Sequence, residues 1–243
     1  MKAIILSAGQ GSRLGHLTDD RPKCLIEFGG KSLLDWQLDT LADNGVDEVV
    51  VVTGFRDDQI EACLARRGGG PMVRTAFNPF FKVADNLGSL YMVRGELTGN
   101  CLVWNGDTLV SKALMARVVG NRAQDGICVT IDRKGAYDDD DMKVIVDDDG
   151  RLRAIGKRIK EGVNAESIGL LAFRGGGAER FAEAIDRAMR TSEGTTIWYL
   201  RVIHHLAQNG DVRTLDISGE EWGEVDFPED VGPAEALVKG WGG

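Results

Sequence analysis

Short apolar runs alternate with longer helical stripes through the first hundred residues of this chain. Ala3-Ile4-Ile5-Leu6 is an apolar run of strand length that stops at small residues, and it predicts a buried parallel strand over 3–7. Further strands are predicted at 48–53, 72–77 and 101–105, separated by helices at about 33–44, 56–67 and 86–95. In the first of these helices Leu33, Leu34, Leu38 and Leu41 form one inward stripe, and Gly45 stops it. Such alternation builds a mainly parallel sheet with helices on both faces.

After residue 110 the pattern shifts. A helix near 111–121 leads to a strand at 127–131, then to an acidic segment. Two alternating stretches follow at 142–146 and 152–156, joined by Asp147-Asp148-Asp149-Gly150, and they predict a hairpin. A strand at 167–173, helices at 178–191 and 196–208 and a strand near 212–217 follow. The predicted fold class is α/β: a Rossmann-like three-layer α/β/α sandwich with a mixed, mostly parallel central sheet and a small antiparallel flap. Gly68-Gly69-Gly70 and Gly175-Gly176-Gly177 read as surface connections, because periodic structure resumes at once on each side. With 243 residues, about 43% of them hydrophobic, the chain can bury a full core, and a single domain over 1–243 is expected.

The first strand runs into Ser7-Ala8-Gly9-Gln10-Gly11-Ser12-Arg13-Leu14, followed by Pro22-Lys23. Gly9 and Gly11 let the backbone turn sharply and bring bare N–H groups near an anion, and Arg13 adds a cation suited to phosphate oxygens. A dinucleotide fold would place a third glycine one residue before Gly15 and open directly into a helix, yet 16–23 is polar and contains Pro22. The second strand also ends in Thr53-Gly54-Phe55 without the acidic residue that would hold a ribose. A P-loop reading of Gly30-Lys31-Ser32 needs an earlier glycine where Leu25 stands; a hairpin turn with an exposed lysine fits better.

The run LSAGQGSRL, a threonine, and then RPKCLIEFGGKSLLDWQL resembles the signature of the nucleotidyltransferases that activate sugar phosphates and phosphocholine. The match covers residues 1 to about 55, with Ser32 standing where many members carry proline. The resemblance implies the nucleotide-diphospho-sugar transferase type of fold, with a nucleotide-binding half at about 1–110 and an acceptor-binding half at about 111–243. It assigns Leu6, Ala8, Gly9, Gly11, Ser12, Arg13 and Lys23 to the triphosphate, with Arg13 and Lys23 as catalytic charges. Asn86, Gly88 and Ser89 fall where members hold base and ribose, although Asn86 serves equally well as a helix cap. Their Asn-x-x-Ser-Leu run points to the phosphocholine and phosphonate branch, hence to CTP as donor.

Carboxylates complete the expected site. The strand at 101–105 ends in Asn105-Gly106-Asp107, at the sheet edge where open α/β folds bind ligands, and Asp226 precedes Phe227-Pro228-Glu229-Asp230. Both match family positions that hold magnesium on the nucleotide phosphates, and Mg²⁺ favours one or two carboxylates plus phosphate oxygens and water. Read alone, the first is a turn residue and the second a helix cap. Lys157, after Ile155-Gly156, resembles the acceptor-phosphate lysine and is the third catalytic charge expected, with Glu166, Trp198 and Asp226 on the acceptor side. For a quaternary ammonium acceptor, Tyr137, Trp198, Tyr199 and Trp222 are cage candidates by type, against plain packing. The acidic run 138–141 would attract such a head group or form a solvated loop.

A net charge of −9 argues against nucleic acid and anionic membranes as partners, so local cations must bind any phosphate. No apolar run approaches the roughly 18 residues of a membrane span, and Cys24, Cys63, Cys101 and Cys128 lack metal-site spacing and read as buried thiols in a reducing compartment. A cytoplasmic enzyme follows, with a nucleoside triphosphate and a small phosphorylated or phosphonate acceptor such as phosphocholine as partners. A homo-oligomer is allowed but not required. A sugar 1-phosphate enzyme using UTP, GTP or dTTP, a silent nucleotide sensor and an oxidoreductase are the rival readings.

Overall fold

The computed structural model describes residues 1–122 and 125–241. In chain order its elements are β1 (Lys2–Leu6), β2 (Glu27–Phe28), β3 (Lys31–Ser32), α1 (Leu33–Asp43), β4 (Glu48–Thr53), α2 (Asp57–Ala65) and β5 (Met72–Phe77). Then come α3 (Asn86–Met92), β6 (Cys101–Asn105), β7 (Thr108–Val110), α4 (Lys112–Gly120), β8 (Gly126–Asp132), β9 (Lys143–Val146) and β10 (Leu152–Ile155). The chain finishes with β11 (Ala165–Arg174), α5 (Gly177–Met189), α6 (Tyr199–Ala207), β12 (Val212–Asp216), β13 (Trp222–Glu224) and α7 (Val231–Trp241).

Nine strands form one mixed sheet in the order β10-β9-β11-β6-β1-β4-β5, with β8 on β11 and β12 on β8. Strands β6, β1, β4 and β5 are parallel neighbours, and β11 runs antiparallel to β6. The chain therefore leaves β1 toward β4 on one side and returns to β6 on the other, which makes the ends of β1 and β6 a topological switch point. Leu6 sits in register with Asn105, so the two loops that follow start side by side. Gly106 has to be glycine there: a Cβ would run into the Ser7 hydroxyl and the Leu6 carbonyl.

Both sheet faces are buried, as parallel strands require. Alternate residues of β1 show why: Ala3 and Ile5 pack with Leu34, Leu38 and Leu41 of α1 and Leu114 of α4, while Ile4 packs on the other face with α3 and α5–α6 side chains such as Leu90, Phe181 and Ile203. This gives the three layers. The predicted flap is the β9–β10 hairpin, and β9 is hydrogen-bonded to β11, so it extends the main sheet. Two short ribbons stand apart from it: β2–β3 is the hairpin expected around Gly30-Lys31-Ser32, whereas β7–β13, too short to show any period, was not foreseen. The first carries Lys31, exposed at the Gly29-Gly30 turn, and Ser32, whose hydroxyl caps α1 by accepting from the Asp35 amide at 3.0 Å.

A third apolar cluster matters most for function. Leu14 of the glycine loop packs with Phe28, Leu33, Leu109, Val225, Ala234 and Val238. It ties that loop to the last strand and helix, and burying Leu14 alone is worth about 1.5–3 kcal/mol.

Candidate active site

The glycine loop is held open by specific bonds. Ser7 N–H donates to Val52 O and Phe55 N–H donates to Ala8 O, both at 2.9 Å, so the start of the loop is fastened to the end of β4 and the turn after it. Gly9 and Ser12 are exposed at the rim. Gly11 takes a left-handed conformation, φ +74°, and its carbonyl accepts from the Thr18 hydroxyl at 2.9 Å. Behind it lies the stem of Lys23: a Cβ on Gly11 would approach the Lys23 Cβ to 2.9 Å. Gly11 is thus required twice, by its backbone and by its neighbour.

Lys23 points between two carboxylates. Its Nζ donates to Asp107 Oδ2 at 2.8 Å and to Asp226 Oδ1 at 2.6 Å. Burial by itself would lower the lysine, but Asp107 and Asp226 outweigh it and hold the ammonium above its usual range. Asp107 follows the Gly106 turn off β6, and its carbonyl accepts from Val225 N–H at 3.0 Å. Asp226 is fixed by Asp230, whose Oδ2 accepts from the N–H groups of Asp226 and Phe227 at 2.8 and 2.7 Å. Arg13 lies across the site with its guanidinium 4.7 Å over the Phe227 ring and donates to Asp226 Oδ2 at 2.6 Å.

A third acid joins them. Carboxylate oxygens of Asp107, Glu224 and Asp226 lie within 4.8 Å of one another. Glu224 faces the open cleft, and crowding by the surrounding walls together with Asp107 and Asp226 raises its carboxyl well above the usual range. An all-carboxylate donor set suits a hard divalent cation such as Mg²⁺. In Glu224-Val225-Asp226 the central valine is fully buried, so the flanking acids share the opposite face.

On the acceptor side the cleft measures about 390 Å³, with Asp107, Asp140, Lys157, Trp198 and Glu224 on its walls. Asp140 bridges the two halves: Arg13 Nη1 donates to its Oδ2 at 3.0 Å and Lys157 Nζ to its Oδ1 at 2.6 Å. Lys157 also sits 5.4 Å over the Trp198 ring. Tyr199 O–H donates to Asn105 Oδ1 at 3.0 Å, and Gly169, φ +71°, leaves room for the Asn105 amide. Asn86 Oδ1 accepts from Tyr199 N–H at 3.0 Å, joining the starts of α3 and α6.

Residues 3–166 match the MobA-like NTP transferase domain, well over half of the chain. The chain belongs to this family. It is 25% identical to the choline-phosphate cytidylyltransferase of Streptococcus pneumoniae over 98% of the chain and 99% of that protein. It is 28% identical to the bifunctional IPC transferase and DIPP synthase of Aquifex aeolicus over 98% of the chain, which spans about half of that longer protein (52%). Among solved structures, CTP:phosphocholine cytidylyltransferase from S. pneumoniae superposes with a TM-score of 0.79 at 24% identity, covering 98% of each chain. The protein is a nucleotidyltransferase with the fold its sequence predicted.

In this nucleotidyltransferase the expected residues Arg13, Lys23, Asp107, Asp226, Lys157 and Trp198 do converge on one cleft, with Asn86 on its wall. Others lie elsewhere. Gly88 and Ser89 are buried: a Cβ on Gly88 would meet the Ala84 Cβ at 2.7 Å, and the Ser89 hydroxyl accepts from Asn78 Nδ2 at 3.1 Å. Both lie within α3, and neither lines the cleft that Asn86 walls. Glu166 is 5% exposed and paired with Lys134 at 3.0 Å, while its neighbour Ser167 faces the cleft. Leu6 ends β1 half-buried against the core. The aromatic cage does not assemble either. Tyr199 is fully buried, Trp222 Nε1 donates to Asp132 at 2.8 Å, Tyr137 packs by Lys134, and only Trp198, at 40% exposure, faces the cleft. Trp198 is the residue before α6 rather than part of its apolar face. Asn105, Asp140 and Glu224 were missed, since each meets the site through contacts distant in sequence, and Thr18 was missed although its bond to Gly11 is local.

Proposed function

We propose that the protein transfers CMP from CTP to a small phosphorylated or phosphonate acceptor, releasing pyrophosphate. The observation that supports this reading is one unbroken run of ionic contacts in a single cleft, Asp107–Lys23–Asp226–Arg13–Asp140–Lys157, with cations enough for both a triphosphate and an acceptor phosphate. Support for cytidine comes from the choline-phosphate cytidylyltransferase matched along nearly its full length.

In this reading the Gly9–Ser12 backbone and Arg13 hold the triphosphate, Lys23 neutralises charge on it, and Lys157 seats the acceptor phosphate. An acceptor oxygen attacks the α-phosphorus in line; the new P–O bond forms as the bond to the pyrophosphate oxygen breaks. No side chain has to remove a proton, because a phosphomonoester with second pKa near 6 is already largely dianionic at neutral pH. Positioning and charge stabilisation carry the catalysis. Asp107 and Asp226, with Glu224 beside them, are the residues that would hold Mg²⁺, which when bound supplies charge neutralisation and orients phosphate oxygens. Lys23 bridges Asp107 and Asp226.

Pyrophosphate release measured with each of four NTPs, against a panel of phosphomonoesters and phosphonates with and without EDTA, tests the assignment. Release with CTP, abolished by EDTA, is expected. Release with UTP or GTP and a sugar 1-phosphate, and none with CTP, would replace it by the nucleotide-sugar reading.

A further inference from the structure

Next to the cleft lies a second cavity of about 520 Å³ that shares Met142, Lys157, Trp198 and Leu200 with it. Its far walls come from the end of β10 and the turn after it, and from the start of α6. Ile155, Ile159 and Ile197 make part of the lining apolar, and Arg158, Arg201 and His204 supply its polar groups. Arg158 and Arg201 bring two positive charges to one cavity in a chain of net charge −9. Both are exposed, and among the described residues neither guanidinium has a hydrogen bond or ion pair. No carboxylate lines this cavity. His204 Nδ1 accepts from Ile155 N–H at 3.3 Å, so a neutral ring carries its proton on Nε2 as a third donor.

We propose that this cavity receives the tail of the acceptor, and that the tail ends in a second anionic oxygen group held by Arg158 and Arg201. The inference rests on the proposed transfer reaction and names its acceptor class. With the acceptor phosphate on Lys157, the shared wall of Trp198 and Leu200 leads the tail away from the metal-side carboxylates and into the cavity. An apolar stem packs on the isoleucines there. A terminal carboxylate or phosphate gains charge-assisted, forked hydrogen bonds from arginines that have no partner to give up. A cationic tail instead meets two positive groups and no compensating acid within this cavity.

Three matched esters separate the possibilities: 4-phosphonooxybutanoate, butyl phosphate and phosphocholine. Each is titrated calorimetrically into the protein with and without a non-hydrolysable CTP analogue, in the wild type and in the double variant Arg158→Ala/Arg201→Ala. We expect the carboxylate ester to bind at least tenfold more tightly than butyl phosphate, with phosphocholine weakest, and that ratio to fall within twofold in the double variant. Equal affinities, tightest binding of phosphocholine, a preference that survives the double variant, or no binding of any ester would overturn the proposal. Pyrophosphate release is read separately. A carboxylate preference without CTP-dependent release would keep the pocket and refute the transfer reading.

Discussion

The backbone of Gly11 and the side chain of Lys23 occupy adjoining space so closely that a methyl group on the first would stand 2.9 Å from the Cβ of the second. The glycine loop therefore does more than leave room for phosphate; it sets where the ammonium between Asp107 and Asp226 can lie. Gly11→Ala pushes Lys23 off its two carboxylates and forces alanine into φ +74°. A displacement of this kind costs on the order of 100-fold in turnover. Pyrophosphate release should fall by about that factor while the circular dichroism spectrum stays native; unchanged turnover would show that the contact is idle.

Asp140 holds Arg13 and Lys157 with one carboxylate, the geometry in which each cation would grip a phosphate. A triphosphate and an acceptor entering the cleft must each displace it. Asp140→Asn should lower the KM for the nucleotide severalfold, since ion pairs this exposed are worth no more than about 1 kcal/mol. A raised KM would make Asp140 a ligand-binding residue instead of a competitor.

Much of this was legible in the sequence, and the failures have physical causes. Strands such as Val49-Val50-Val51-Val52 and the leucine stripe of α1 announce themselves because a buried run and a 3.6-residue period are local signals. Arg13, Lys23, Asp107 and Asp226 were singled out through the resemblance of their motifs to the family signature, and the structure gathers them in one cleft. Two- and three-residue strands have no period, so the β7–β13 ribbon that brings Glu224 and Asp226 to Asp107 was hidden. Gly88 and Ser89 were placed by motif position, whereas the direction they face on α3 depends on packing against Ala84 and Asn78. The acidic run was read as a lure for a cationic head group or as a solvated loop, and only tertiary contact reveals that Asp140 pairs with both Arg13 and Lys157.

Glu166 gives a pH signature away from the metal-side acids. Burial, offset in part by Lys134 and reinforced by Asp141, raises its carboxyl to about 7. The folded state then binds more protons than the unfolded chain between the ordinary glutamate range and about 7, so this group's contribution falls as pH rises through that window. Neighbouring Asp141 is shifted downward and acts below it. In urea titrations, Glu166→Gln should compare more favourably with wild type at pH 7.5 than at pH 5. Parallel curves at both pH values would contradict this.

The four cysteines are buried thiols, and burial pushes those of Cys24, Cys101 and Cys128 up to about 12. Folded protein at pH 8 should react slowly with a thiol reagent, Cys63 first because it lines a surface cavity, and all four should react once unfolded. Rapid labelling of two or more thiols in the folded state would show that the core opens.

Lys23 joins the glycine loop to both aspartates, so its removal addresses the central claim most directly. Lys23→Ala, assayed for NTP-dependent pyrophosphate release with circular dichroism as the check on folding, should retain its fold and lose turnover by about two to three orders of magnitude, as expected for a group that stabilises transition-state charge. Release near the wild-type rate from the folded variant would contradict the account.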